Sequence, residues 1–125
     1  MVAPNVANGL IQRLISTFGL AIVLGHWSTA AAQNAESKRF DLRIEDGRVS
    51  NDLQVIRVRR GDTVEIKWST DRRTVLHLHG YDIETIVESG KPQTMSFTAR
   101  ATGRFPIETH GNRHFVVIYL EVYPR

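Results

Sequence analysis

The sequence predicts an all-β fold, a Greek-key β-sandwich of about seven or eight strands. From Arg39 onward, apolar and polar residues alternate in short segments, the pattern of strands with one buried face. Turn residues separate these segments, and no window keeps an apolar period of about 3.6 residues, which an amphipathic helix requires. Segments of this length and spacing are typical of two packed sheets.

The first predicted strands contain apolar residues flanked by charged ones. Phe40, Leu42 and Ile44 alternate with charged neighbours before the turn at Glu45-Asp46-Gly47. The next two strands run over 55–59 and 64–68 and are separated by Arg60-Gly61-Asp62. A fourth strand covers 74–79 and stops at Gly80, because glycine favours a turn there.

The later strands follow the same pattern. Residues 83–87 predict a short strand or an irregular crossing before the turn at Ser89-Gly90-Lys91-Pro92. Strands over 93–99, 105–109 and 116–122 complete the sandwich. Pro106 has no backbone N–H to donate, so we expect its strand at a sheet edge or with a local irregularity.

Residues 1–32 have the layout of a cleavable secretory signal. Arg13 supplies a positive charge, Leu14 to Leu24 is mostly apolar, and Ala30-Ala31-Ala32 offers the small residues of a cleavage site. The apolar run is shorter than the roughly 20 residues that span a bilayer. We therefore expect export to the periplasm or secretion, a flexible N-terminus over 33–38, one domain over 39–125, and no membrane contact after cleavage. An uncleaved amphipathic anchor is the alternative.

The composition of the chain argues against nucleic-acid binding and excludes disulfides. The chain has a net charge of only +3. Its charges are interspersed, apart from Arg57, Arg59 and Arg60 in one strand and Arg72-Arg73 in a turn, and no aromatic residues are interleaved with them, so we expect no nucleic-acid partner. There is no cysteine. Disulfides are therefore excluded, and apolar packing must stabilise the domain, with or without a metal.

Four histidines of the predicted mature chain fall in two pairs. His77 and His79 have the i, i+2 spacing that puts both side chains on one face of a strand. His110 and His114 flank a turn-forming loop between the last two strands, where binding residues are common. If the two regions are neighbours, their imidazoles form a site suited to copper, zinc, nickel or iron. Hydrogen-bonded structural histidines are the alternative at each position, and the nearby carboxylates Asp82, Glu84 and Glu108 are expected to be solvated.

The order of several motifs resembles the cupredoxins. The motifs are Ile56-x-Val58-x-x-Gly61-Asp62-Thr63-Val64-x-Ile66-x-Trp68, then a histidine after a polar loop, then Gly103-x-Phe105-x-Ile107, a histidine loop and Leu120-x-Val122. The resemblance covers nearly all of 33–125 and implies a copper site at one end of a Greek-key sandwich, with His77 as the first ligand. His77-Leu78-His79-Gly80 is also similar to the His-x-His-Gly motif of multicopper oxidases, in which both histidines bind copper.

The sequence departs from the blue-copper pattern of that family. The position of the thiolate ligand falls on Thr109, the methionine position falls near Val116, and Met95 lies in a different strand. A site without either sulfur ligand is not expected to perform blue-copper electron transfer. The remaining donors, His77, His79, His110 and His114, favour Cu(II) in a tetragonal geometry, although the histidines alone do not distinguish copper from zinc.

These observations predict an exported, non-enzymatic protein that binds, buffers or delivers copper. Its expected partners are the metal ion and another periplasmic copper protein. A metal-free interaction or accessory domain of the same fold is the main alternative, since fold alone does not fix function. Catalysis is the least favoured, because a copper enzyme usually needs a second redox centre and no such centre is evident in one small domain.

Overall fold

The computed structural model describes residues 34–50, 53–111 and 114–125. These residues form nine strands and no α-helix. The strands are β1 (Ser37–Glu45), β2 (Arg48–Val49), β3 (Val55–Arg59), β4 (Thr63–Thr70), β5 (Thr74–Leu78), β6 (Ile83–Val87), β7 (Gln93–Thr98), β8 (Gly103–His110) and β9 (Phe115–Tyr123). Within the described ranges, no helix is long and apolar enough to cross a membrane.

Two sheets make up the domain, as the sequence predicts. One has the strand order β2-β1-β4-β7 and the other the order β3-β9-β8-β5-β6. The pairs β1–β4 and β3–β9 are parallel, whereas the other pairs are antiparallel. The chain therefore passes repeatedly from one sheet to the other.

The core lies between the two sheets and follows the predicted alternation. Val64, Ile66 and Trp68 of β4 are fully buried, as are Leu76 and Leu78 of β5. Each fully buried large side chain contributes about 1.5–3 kcal/mol relative to exposure. Because the chain has no cysteine to form a disulfide, this packing carries most of the stability.

Several boundaries differ from the prediction. Ser37 and Lys38, expected in a flexible terminus, lie in β1 and pair in register with Thr63 and Val64. The two-residue strand β2 adds a ninth strand that the sequence pattern did not indicate, because it is too short to show an alternation. The predicted signal over 1–32 lies outside the described residues.

The strand that contains Pro106 has an interior position. β8 lies between β9 and β5, so an edge position is wrong for it. The expected irregularity is present: the register between β8 and β9 shifts at Ile107/Glu108. The carbonyl of Pro106 accepts a hydrogen bond of 3.1 Å from the backbone N–H of His79.

A buried carboxylate joins the ends of the described domain. Asp62, 1% exposed, follows β3 and accepts hydrogen bonds from the backbone N–H groups of Arg59 and Glu36. The guanidinium of Arg125 forms an ion pair with the same carboxylate and donates to the carbonyl of Asn34. We call this group the Asp62 clasp.

Candidate metal centre

The pairing of β5 with β8 brings the two histidine regions together. Val75 lies opposite His110, and His77 lies opposite Glu108. Leu76 and Leu78 point into the core, so the alternation of a strand turns His77 to the outer face of the five-stranded sheet. The histidines therefore lie on an open sheet face near the β8–β9 connection.

Three imidazoles converge on this face. One ligand nitrogen from each of His77, His79 and His110 lies within 4.8 Å of the other two. The ring centroid of His77 is 4.3 Å from that of His79 and 5.1 Å from that of His110. Nitrogens bound to one metal at about 2.0–2.1 Å are separated by up to roughly 4 Å, so a small inward movement of the rings suffices.

An unpaired nitrogen supports the fit of a metal. Nδ1 of His77 is buried and has no hydrogen-bond partner among the described residues. An unsatisfied buried polar atom costs about 1–3 kcal/mol, and such a group in a native protein requires a compensating role. A metal ion bound by Nδ1 would supply the missing partner.

Two carboxylates lie close to the Nε2 atoms of His79 and His77. Glu108 Oε2 lies 3.0 Å from Nε2 of His79. Asp82 Oδ1 lies 3.4 Å from Nε2 of His77, at a side chain that is fully exposed. Asp82 has a positive φ of 55°, and Asp46, at 48°, is the only other non-glycine residue of the described ranges with a positive φ. Aspartate tolerates this conformation better than most residues.

The fourth predicted ligand lies beside the cluster. The ring centroid of His114 is 5.1 Å from that of His110. Among the described residues, however, only His77, His79 and His110 form a group with the spacing of metal ligands. The structure thus brings three of the four predicted residues to one point and places the fourth next to them.

Packing behind the cluster fixes the turn that follows His79. Gly80 has a φ of 80°, and a Cβ at this position would lie 2.7 Å from Cε1 of Phe105. Tyr81 is buried, stacks edge-on against Phe105 and donates from its hydroxyl to the carbonyl of Ala101. Tyr81 therefore packs behind the turn that carries His79.

Neither position that corresponds to a blue-copper sulfur ligand offers sulfur to the cluster. Val116 lies opposite Glu108 in the β8–β9 register, on the face of the cluster, but its side chain is apolar. Thr109 is buried opposite Leu76, which turns its side chain to the inner face of the sheet. Met95 is buried in β7 of the other sheet. The donors that converge are therefore imidazoles and neighbouring carboxylates.

Comparison with solved structures identifies the architecture. A blue copper oxidase from Nitrosomonas europaea matches 71% of this chain with a TM-score of 0.58 and 20% identity. A copper nitrite reductase from the same organism matches 71% at 0.57 and 17% identity, and a copper-binding protein solved in its apo form matches 72% at 0.56 and 11% identity. The chain has a cupredoxin-like fold. No family model matches the sequence of this cupredoxin-like chain, and no curated protein does either.

The matched enzymes are much longer than the cupredoxin-like domain. The chain spans 39% of the oxidase and 42% of the nitrite reductase, but 91% of the copper-binding protein. The expectation that the protein is not an enzyme is wrong as a deduction from this fold, because the oxidases and the reductase that share it are enzymes. The absence of a second redox centre from one small domain did not justify that expectation, since such a domain can form part of a larger catalytic assembly.

Glu108 is a further residue of the site. Its place on a strand predicts a solvated carboxylate, yet it contacts His79. Its spacing of two residues from His110 on β8 was the available signal, because i and i+2 share one face of a strand.

Proposed function

We propose that this cupredoxin-like protein is an exported copper-binding protein that binds Cu(II) through His77, His79 and His110, with His114 adjacent to the site. The convergence of the three imidazoles is the observation that carries the proposal. Its cellular role would be the binding, buffering or delivery of copper outside the cytoplasm.

The donor set favours Cu(II) over other common ions. Imidazole nitrogens bind copper, zinc, nickel and iron, and the affinity for divalent ions rises to a maximum at Cu(II). The chain lacks cysteine, so it has no thiolate with which to bind Cu(I). Bound copper would supply a Lewis-acidic, redox-active centre on the open face of the sheet.

A titration of the protein over residues 33–125 with Cu(II) tests the proposal. Electron paramagnetic resonance at one equivalent should show copper coordinated by nitrogen, and the signal should be lost in a variant with His77→Ala, His79→Ala and His110→Ala. A competing titration with Zn(II) should require a large excess to displace copper. If wild type gives no nitrogen-coordinated signal, a metal-free interaction domain becomes the better interpretation.

Export is a separate part of the proposal. The charged, apolar and small-residue segments of 1–32 support it. Expression of the full chain in a bacterium, followed by fractionation and N-terminal sequencing, should recover a protein in the periplasm or medium that begins near Gln33. Retention of an intact N-terminus in the membrane fraction would favour the uncleaved anchor.

A second candidate function is participation in a copper oxidoreductase. The enzymatic neighbours and the partial coverage of their chains favour it, together with a cluster that faces outward and leaves room for ligands from another domain or chain. Copper-loaded protein with an external electron donor should then reduce oxygen or nitrite, and His77→Ala should not. Loss of nitrite and uptake of oxygen are the measurements, and no turnover above free copper counts against this function.

A further inference from the structure

Glu108 is the carboxylate most closely integrated with the histidine cluster. It lies opposite His77 in the β5–β8 register, and Oε2 is 3.0 Å from Nε2 of His79. Its side chain is 25% exposed, so this contact is partly shielded from water. A hydrogen bond in such a position orients a ring more strongly than one in open solvent.

We propose that Glu108 is a positioning residue that holds His79 with its proton on Nε2 and leaves Nδ1 free for the metal. The inference rests on the proposed function of the same site. An ionised carboxylate only accepts hydrogen bonds, so the nitrogen that faces it must carry the proton. A neutral imidazole has one ring proton, and the opposite nitrogen then has the lone pair that a metal requires.

The other two carboxylates of this face are poorer candidates. Asp82 is 3.4 Å from His77 and fully exposed, a geometry in which an ion pair is worth little. Glu84 lies opposite His77 from β6 and is exposed; within the described part of the chain it forms no hydrogen bond or ion pair. Glu84 is therefore a matched control, with the same charge on the same face.

The size of the loss in Cu(II) affinity distinguishes a positioning role of Glu108 from simple attraction between charges. Loss of a carboxylate that orients a ligating histidine typically reduces metal affinity 10–100-fold. Removing one charge about 4 Å from a doubly charged ion in water changes the binding energy by about 2 kcal/mol, and screening at physiological ionic strength reduces this to about 1.2 kcal/mol, which is roughly eightfold. Glu108→Ala should therefore weaken Cu(II) binding by about 10–100-fold, whereas Glu84→Ala should weaken it by no more than about eightfold.

Nuclear magnetic resonance of the metal-free protein tests the orientation directly. With ¹⁵N-labelled histidine at a pH where the rings are neutral, His79 should show a proton on Nε2 that exchanges slowly with water. That slow exchange should disappear in Glu108→Ala and remain in Glu84→Ala. His110, which no carboxylate contacts among the described residues, serves as an internal control.

Cu(II) titrations of the same three proteins complete the test. Suppose that wild type binds copper, but His79 carries its proton on Nδ1 or the two variants lose equal affinity. Either result overturns the role of Glu108 and leaves the proposed function intact. An affinity loss well beyond 100-fold for Glu108→Ala also overturns that role, because Glu108 would then be a ligand. Wild type that binds no copper overturns the proposed function and the assignment of Nδ1 to the metal, while the exchange measurement still decides whether Glu108 orients His79.

Discussion

His77 is the residue on which the proposed copper site depends most. Its ring contacts those of both His79 and His110, and its Nδ1 is buried with no hydrogen-bond partner in the part of the chain that the structure describes. His77→Ala should therefore reduce Cu(II) affinity by more than the roughly 100-fold expected for loss of an orienting partner. Isothermal titration calorimetry with Cu(II) measures the change.

His114→Ala is the matched control for that variant. Within the described ranges, His114 contacts the cluster through His110 alone, so its loss should change affinity by less than about tenfold, the low end of an indirect effect. Neither substitution removes a core side chain, and urea unfolding should show free energies within about 1 kcal/mol of wild type. Equal affinity losses in the two variants would contradict the assignment of His77 as the central ligand.

Gly80 links the cluster to the packing behind it. Alanine at this position would adopt an unfavourable positive φ, at about 1–2 kcal/mol, and would press on Phe105, with overpacking adding about 1–3 kcal/mol. Gly90 has a similar φ of 74° but open space around it. Urea unfolding should therefore show a larger loss for Gly80→Ala than for Gly90→Ala. Equal losses would mean that the Phe105 ring moves aside without cost.

The strand elements explain which parts of the site the sequence could predict. The i, i+2 spacing of His77 and His79 and the buried Leu76 and Leu78 are visible in the sequence, so the shared face could be predicted. The neighbouring position of β8 could not, because it depends on long-range pairing in which strands separated by β6 and β7 come together. The resemblance to cupredoxins implies a copper site at one end of the sandwich with His77 as the first ligand, and it leaves open whether the two histidine regions converge.

β8 also shows where local rules are insufficient. Pro106 predicts either an edge position or a local irregularity. The edge position is wrong, and the irregularity is present as a register shift next to Ile107 inside the sheet. That shift lies next to Glu108, the residue that contacts His79. Contact between this carboxylate and an imidazole just beyond the end of β5 has no signal in a single sequence beyond a shared face.

The Asp62 clasp joins the turn after β3 to segments near both ends of the described domain. Burial disfavours the charged carboxylate, but hydrogen bonds from the backbone N–H groups of Arg59 and Glu36, with the charge of Arg125, outweigh that effect and lower the pKa of Asp62. Because the pKa is lower in the folded state, the charged carboxylate stabilises the protein above the unfolded pKa of about 3.9. This stabilisation is lost as the pH falls through the folded pKa.

Asp62→Asn should therefore lower the free energy of unfolding at neutral pH by about 1.5–3 kcal/mol, the range for hydrogen bonds to a charged group. The difference from wild type should shrink as the pH falls below about 4. Asp41→Asn is the control, since Asp41 is exposed and lies 4.0 Å from Lys67. Urea unfolding from pH 7 to pH 2.5 measures both, and a pH-independent difference for Asp62→Asn would contradict the clasp.

At the scale of the whole molecule, the sandwich holds its ligands on strands that a single core supports. β5 and β8 both contribute buried side chains to that core, including Leu76, Leu78 and Ile107, and the cluster lies on the opposite face of the same strands. Global unfolding must therefore separate the imidazoles. Metal binding and the stability of the entire domain are coupled for this reason.

That coupling predicts a concentration-dependent thermal stabilisation by Cu(II). A ligand that binds only the folded state at 100 times its Kd adds about 2.7 kcal/mol, which raises the Tm of a domain of this size by on the order of 10 °C. The unfolded chain retains the same histidines, and any binding to it reduces the shift. Scanning calorimetry of residues 33–125 over a series of Cu(II) concentrations measures the effect, with a chelator to reverse it. The variant with His77, His79 and His110 replaced by alanine should show no rise, and an equal rise in that variant would mean that copper stabilises the domain from another site.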